Sequence, residues 1–249
     1  MNKLKLKNIL ITGASRGIGF EILKSISDSA DLIIFTYYNN HKLAVKIQNN
    51  LRSQNKDCEI YAQKLDIKSE ASIEKLLNFI SKKNIKLDGL VNNAGINKPT
   101  DFNKVESSDW DQILDTNLKG PFLLSQKIED YLNKDSSIVN IGSVSGQYGG
   151  PRTPHYAVSK AGLISLSQVM ARYFSRKNIR VNTLSAGIIS SDMGNKGLKS
   201  KAVLKASENI LLGRLGEQCE VAEVVHFLLS DMSSYVTAQT INVNGGLYF

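Results

Sequence analysis

The sequence predicts an α/β protein: a single Rossmann-type domain over residues 1–249, with a doubly wound, seven-stranded parallel sheet flanked by helices on both faces. Three observations predict it. Short apolar runs alternate with stretches of helical periodicity along the whole chain. Those runs are short and mostly apolar, as in strands covered on both faces. The first run leads directly into a Gly-rich turn and then a helix, the opening of a nucleotide-binding βαβ unit. A chain of 249 residues can enclose one large core and is too short for a dinucleotide domain plus a separate catalytic domain of usual size.

Taken in order, the strand runs are Asn8–Ile11, Leu32–Phe35, Glu59–Leu65, Gly89–Val91, Ser137–Ile141, Ile179–Leu184 and Thr240–Val243. Helical patterns fill the gaps. Ile18–Ile26 opens the first, Lys42–Leu51 carries apolar residues at 43, 44, 47 and 51, and Ser72–Ile80 carries them at 73, 76, 77 and 80. Asp109 to Leu132 reads as one long helix and Tyr156 to Phe174 as another. Glu220–Leu229 precedes the last strand, and Lys199–Leu212 reads as a more exposed helix.

Composition excludes several classes. Two cysteines, Cys58 and Cys219, lie far apart, and three histidines stand apart from them, so neither a disulfide framework nor a metal site is expected. The basic start MNKLKLKNILITG has an apolar part too short for a signal peptide, and no run approaches a membrane span, so a cytoplasmic protein is expected. The net charge of +8 comes from lysines spread along the chain, which argues against nucleic-acid binding and leaves room for an acidic ligand or partner.

The turn Thr12-Gly13-Ala14-Ser15-Arg16-Gly17-Ile18-Gly19 follows the first strand. Glycines there let the backbone approach a pyrophosphate, and the next helix start offers free N–H groups and partial positive charge. The second strand ends in Phe35-Thr36-Tyr37-Tyr38-Asn39-Asn40, with no acid to bind a ribose diol. Arg16 can face that place, so NADP(H) is expected over NAD(H), with Tyr37 beside the ribose. Asp66, after the third strand, is placed to meet the adenine or to cap the next helix, and Ile67 follows it. Asn92-Asn93-Ala94-Gly95 ends the fourth strand: the small Ala94 and Gly95 let the chain pass under a cofactor, and the asparagines can tie neighbouring strand ends together.

Tyr156 and Lys160 stand at i and i+4 on one helical face, which brings a phenol and an ammonium together. A free tyrosine titrates near ~10, and a nearby cation favours the phenolate. Ser143 ends the fifth strand at the carboxyl edge of the sheet, where its hydroxyl can bond a carbonyl oxygen and developing oxyanion; Ser145 is placed to shape the loop. Asn117 lies four residues before Pro121, whose missing N–H deprives the Asn117 carbonyl of its helical donor. A water there could link outward to Lys160.

With these residues in place, the chain resembles the short-chain dehydrogenase/reductase family. TGASRGIG, NNAG, Asn117, Ser143 and the Tyr156–Lys160 pair occur in that family's order over essentially the whole length. Gly213-Arg214-Leu215-Gly216-Glu217 and Asn242-Val243-Asn244-Gly245-Gly246 are most similar to bacterial 3-oxoacyl-[acyl-carrier-protein] reductases. The resemblance implies NADPH-dependent reduction of a ketone, with Tyr156 as acid, Lys160 as its electrostatic helper and ribose ligand, and Ser143 orienting the carbonyl. It implies cofactor contacts at Gly13 through Gly19, Asp66, Ile67, Asn93 and Ile189, and a homotetramer. The chain departs from the family after the sixth strand, where Ser185-Ala186-Gly187-Ile188 keeps Gly187 but lacks a usual proline, and at Ala238, where glycine is common.

Three functions compete. A 3-oxoacyl reductase working on an acidic acyl carrier protein would need a basic rim, for which Lys127, Arg172, Arg176 and Lys177 are candidates. A ketoreductase of a sugar, polyol or secondary metabolite would use His155 and Arg152 on a polar substrate. A protein that only senses cofactor would have no need of intact Tyr156, Lys160, Ser143 and Asn117. Substrate selection is expected in 189–212, a lid hinged at Gly194 and Gly197.

Overall fold

The computed structural model describes residues 6–190 and 207–249. Seven strands form one parallel sheet in the order β3-β2-β1-β4-β5-β6-β7. They are β1 (Asn8–Ile11), β2 (Leu32–Tyr37), β3 (Glu59–Lys64), β4 (Leu87–Asn92), β5 (Leu132–Ser143), β6 (Arg180–Ala186) and β7 (Thr240–Val243). β1 pairs with β2 on one side and β4 on the other, so the winding reverses there and a crevice opens at the carboxyl ends of those strands.

Alternation along the strands feeds two cores. Ile9 and Ile11 face one side, where they join Ile22, Leu23 and Ile26 of α1 (Gly17–Ser27), Ala44 and Ile47 of α2 (His41–Gln54), and Val221 and Val225 of a C-terminal helix, Gln218–Leu229. Leu10, Leu90 and Ile138 face the other, against Ile73, Leu76 and Ile80 of α3 (Glu70–Lys82) and helices further along the chain. Asn40 caps α2 and Ser69 caps α3, each accepting a backbone N–H through its side-chain oxygen.

The expected long helix Asp109–Leu132 is broken. It forms α4 (Ser107–Leu114), a π-helical turn over Asp115–Lys119, α5 (Gly120–Lys127) and a 3₁₀ turn at Glu129–Tyr131, and Leu132 already belongs to β5. Pro121 sits in the first turn of α5, where no intrahelical donor is needed, and the wider turn before it absorbs the mismatch: the Gly120 N–H donates to the Asp115 carbonyl, five residues back. The apolar periodicity continues through this break, which is why spacing alone reads one helix.

Beyond β5 come α6 (Ser145–Tyr148), α7 (Pro154–Phe174) and α8 (Gln218–Leu229). Buried Arg180 closes the end of α8: its guanidinium donates to the carbonyls of Leu228 at 2.9 Å and Ser230 at 3.1 Å and to Ser233 Oγ at 2.7 Å. The middle of the expected lid, 191–206, lies outside the described residues, as does most of the expected helix Lys199–Leu212; residues 208–212 are not helical. Among the described residues, no helix is long and apolar enough to cross a membrane.

Candidate functional site

The site is assembled from backbone on one side of the crevice and from buried side chains on the other. At the end of β1, Thr12 Oγ1 accepts the N–H groups of Asn93 and Ala94, both at 3.0 Å, and donates to the Val91 carbonyl at 3.2 Å. Asn93 Nδ2 reaches back to the carbonyls of Thr12 at 2.9 Å and Gly13 at 3.0 Å. This lacing brings the Gly-rich turn hard against the end of β4. A Cβ on Gly13 would sit 2.8 Å from Ala94 Cα, and one on Gly19 would sit 2.4 Å from Asn93 Nδ2 and 2.7 Å from the Gly13 carbonyl. Gly17 differs: its φ of +61° demands glycine, yet a Cβ there would meet nothing within 4 Å. Its open side is the cradle. Unlike α2 and α3, α1 has no side-chain cap. An uncapped helix start behind a turn open at Gly17 fits the pyrophosphate of a dinucleotide. Ser15 and Ile18 are half-buried in that turn and Arg16 is exposed at its rim.

The flanking positions are partly committed elsewhere. The Tyr37 hydroxyl pairs with His41 Nδ1 at 2.6 Å, so its polar end is spent on the start of α2. Asp66 Oδ1 accepts the Lys68 N–H at 3.1 Å; the cap of α3 is Ser69, whose Oγ accepts the Ser72 N–H at 3.2 Å. Of the two roles considered for Asp66, capping is therefore the wrong one. Ile67 is buried against Gly120, whose added Cβ would lie 2.7 Å from Ile67 Cγ1.

The second half lies where β4, β5 and α7 meet. Asn117, in the π-helical turn, clips the chain after β4 by its side chain: Oδ1 accepts the Ile96 N–H and Nδ2 donates to the Ile96 carbonyl, both at 2.9 Å. The same Nδ2 reaches Ser159 Oγ at 3.2 Å, and Ser159 Oγ donates to the Tyr156 carbonyl at 2.8 Å. Ser143, at the end of β5, hydrogen-bonds the Tyr156 phenol. Lys160 Nζ lies 5.7 Å from the centre of the Tyr156 ring and donates to the Ile141 carbonyl at 2.7 Å. Gly95 leaves this corner open: a Cβ there would lie 3.2 Å from Asn117 Oδ1 and 3.7 Å from Lys160 Nζ. Gly187 follows β6 and donates its N–H to the Val243 carbonyl at 2.9 Å, which holds the turn without the missing proline. Ile189 bridges to Gly216.

Electrostatics divide the pair. Burial pulls the Lys160 ammonium down to about 8. Burial pushes the Tyr156 phenol up, opposed by its hydrogen bond to Ser143. The lowering of Tyr156 by Lys160 expected from their spacing does not offset this desolvation; the net direction is upward.

Asn92 ties β4 to β5 as expected, but sequence reasoning missed the network this tie joins beneath the corner. Asn92 Nδ2 donates to Asn140 Oδ1 at 2.8 Å, Asn140 Nδ2 to Ser167 Oγ at 2.7 Å, and Thr183 Oγ1 also meets Ser167 Oγ at 2.8 Å. The signal was present as polar residues inside otherwise apolar strands, where a buried polar group needs a partner. Two surface expectations also change. His155 is fully buried and Arg152 is paired with Asp101 at 2.7 Å, so neither is poised for a polar substrate. Arg172 lies in the last turn of α7, about 24 Å from Tyr156 at 1.5 Å per residue, and Arg176 and Lys177 lie in the 3₁₀ turn Ser175–Lys177 beyond it. Lys127 pairs with Glu70 and Glu74, and Arg176 and Lys177 pair with Glu129.

A dinucleotide cradle at the switch point, joined to the half-buried Tyr156 between buried Ser143 and Lys160, defines an oxidoreductase of the Rossmann class. The comparisons narrow it. Residues 13–248 match the family profile described as enoyl-(acyl carrier protein) reductase. The chain belongs to this family of short-chain dehydrogenases/reductases. It is 38% identical to the 3-oxoacyl-[acyl-carrier-protein] reductase FabG of Thermotoga maritima, over 98% of this chain and 99% of that protein. It is 34% identical to FabG of Staphylococcus epidermidis, over 97% and 99% respectively. Among solved structures it is similar to a Brucella melitensis short-chain dehydrogenase/reductase described as glucose/ribitol dehydrogenase, with TM-score 0.90, 30% identity and coverage of 99% and 98%.

Proposed function

We propose that the protein reduces a ketone to a secondary alcohol with NADPH, and that the ketone is a 3-oxoacyl thioester carried on an acyl carrier protein. The observation that carries the reaction is the convergence of Ser143, Tyr156 and Lys160 at the carboxyl edge of the sheet, next to the Gly17 cradle. The carrier and the acyl chain rest on the names of the relatives, two of them reductases of that type. NADPH over NADH rests on the exposed Arg16 beside the turn and on the absence of an acid from 36–41 at the end of β2.

In this reading Gly13, Ser15, Arg16, Gly17, Ile18 and Gly19 hold the phosphates. Tyr37, Asp66 and Ile67 line the adenosine side, and Asn93, Ala94, Gly95, Gly187 and Ile189 line the nicotinamide side. The cofactor supplies the hydride. Ser143 donates a hydrogen bond to the ketone oxygen and fixes it beside the Tyr156 phenol. Because burial keeps that phenol protonated near neutrality, Tyr156 is set as the proton donor to the forming alkoxide. Lys160, charged below about 8, stabilises the phenolate left behind. Asn117 holds the corner through Ile96 and Ser159.

The same proposal includes a homotetramer. Phe122 on α5 and Val158, Val169 and Tyr173 on α7 present an exposed apolar face, which favours helix-to-helix association between copies. Light scattering should then give about four times the 27.5 kDa chain mass.

The test is oxidation of NADPH with acetoacetyl-CoA, repeated with NADH and with crotonyl-CoA, set against reduction of NADP⁺ with glucose or ribitol. Turnover of acetoacetyl-CoA with NADPH supports the proposal. Turnover of crotonyl-CoA alone would make it an enoyl reductase, and turnover of the sugars alone would overturn the acyl reading.

A further inference from the structure

The start of α7 is finished in an unusual way. Thr153 stands at the N-cap, but its hydroxyl donates to the Gly150 carbonyl at 3.1 Å and caps nothing. Pro154 brings no N–H. The first helical bond runs from Ala157 N–H to the Thr153 carbonyl at 2.8 Å. That leaves the amide of Tyr156 among the orphan donors of the helix start. The His155 ring takes it: Nδ1 accepts the Tyr156 N–H at 2.9 Å. His155 is fully buried, and its Nε2 has no hydrogen-bond partner. An Nδ1 that accepts must belong to a neutral ring carrying its proton on Nε2. Ser159 holds the Tyr156 carbonyl from the opposite side and is itself held by Asn117. The backbone of Tyr156 is thus gripped at both its N–H and its C=O by side chains.

We propose that His155 is a positioning residue for Tyr156: it replaces the missing helix cap and locks the amide of the proton donor in place. The proposal rests on the assignment of Tyr156 as that donor. Holding a reacting group within a fraction of an ångström is worth far more in turnover than in affinity, and a misplacement of ~1 Å can cost ~10²-fold. Stabilising the helix start is a separate and smaller effect.

Three variants test it. His155→Leu keeps bulk and loses the acceptor. His155→Asn keeps an acceptor, Oδ1, near the place of Nδ1. Tyr156→Phe is the control for the underlying reading. The expected result is that His155→Leu lowers kcat about 10–100-fold with the KM for NADPH unchanged, that His155→Asn recovers most of it, and that Tyr156→Phe loses about 10²–10⁴-fold. Equal kcat values in the Leu and Asn variants would overturn the positioning role, and an active Tyr156→Phe would overturn the reading beneath it. Should the variants fail to fold, ¹⁵N NMR of the wild-type histidines decides: the proposal requires a His155 ring protonated on Nε2 alone, and a ring protonated on Nδ1 contradicts it.

Discussion

The two halves of the crevice bind by different means. Around α1 the site is backbone: glycines, an uncapped helix start and the lacing of Thr12 with Asn93 beneath them. Around α7 it is side chains: the half-buried Tyr156 among the buried Ser143, Lys160, Asn117, Ser159 and His155, standing on a polar network of Asn92, Asn140, Ser167 and Thr183. A phosphate chain is recognised by shape and N–H groups, which almost any residues with the right backbone could supply. Proton transfer needs particular functional groups at fixed places in a dry setting. The first half should therefore fail when volume is added, and the second when chemistry is removed.

The largest effect is expected at Lys160. Lys160→Met should cost about 10²–10⁴-fold in turnover, yet raise stability at pH 7 by about 1–3 kcal/mol, since a buried cation with one carbonyl partner is replaced by an apolar chain. Thermal unfolding checks the sign. The folded pKa of about 8 lies below the usual lysine value of 10.5, so this group destabilises the wild type at pH below about 8, and the penalty is relieved as pH rises from about 8 to 10.5. The stability gain of Lys160→Met should shrink over that window.

Gly19→Ala and Gly17→Ala separate the two kinds of failure within the first half. The first puts a Cβ 2.9 Å from Ala14 Cα and should lower stability by about 1–3 kcal/mol. The second costs about 1–2 kcal/mol for its positive φ, leaves packing intact, and should weaken NADPH binding ~10-fold or more by filling the open side of the cradle. Calorimetry for folding and fluorescence titration for NADPH distinguish them.

The pH profile sharpens the second half. With the Tyr156 phenol pushed up and Lys160 at about 8, kcat/KM for reduction should hold level at neutral pH and fall as pH rises through about 8, where Lys160 loses its charge. A profile that rises through that pH would mean the lysine must be neutral.

The smallest effect concerns Ala238, which holds a φ of +60°. Ala238→Gly should stabilise by about 0.5–1 kcal/mol with activity unchanged, measured by urea unfolding.

The same contrast governs how much could be read from the chain. The strands were legible because parallel buried strands are apolar runs, and the Gly-rich turn because the positive φ at Gly13 and Gly17 favours glycine. Ser143, Tyr156 and Lys160 were legible as chemistry-bearing residues at regular places in the fold. What stayed hidden depends on three-dimensional partners: the π-helical turn at Asp115–Lys119, the spending of the Tyr37 hydroxyl on His41, and the turning of His155 inward. Each is set by a neighbour remote in sequence or by a side-chain rotamer, and neither leaves a periodic trace. The basic side chains on α7 misled because helix length, not composition, decides which end of the crevice they reach.

The central claim is that Tyr156 delivers the proton. The direct measurement is turnover of acetoacetyl-CoA by Tyr156→Phe, with NADPH affinity measured on the same sample. A loss of about 10²–10⁴-fold in kcat with unchanged affinity is the predicted result. Turnover within a few-fold of wild type would contradict it and move the proton donor elsewhere in the crevice.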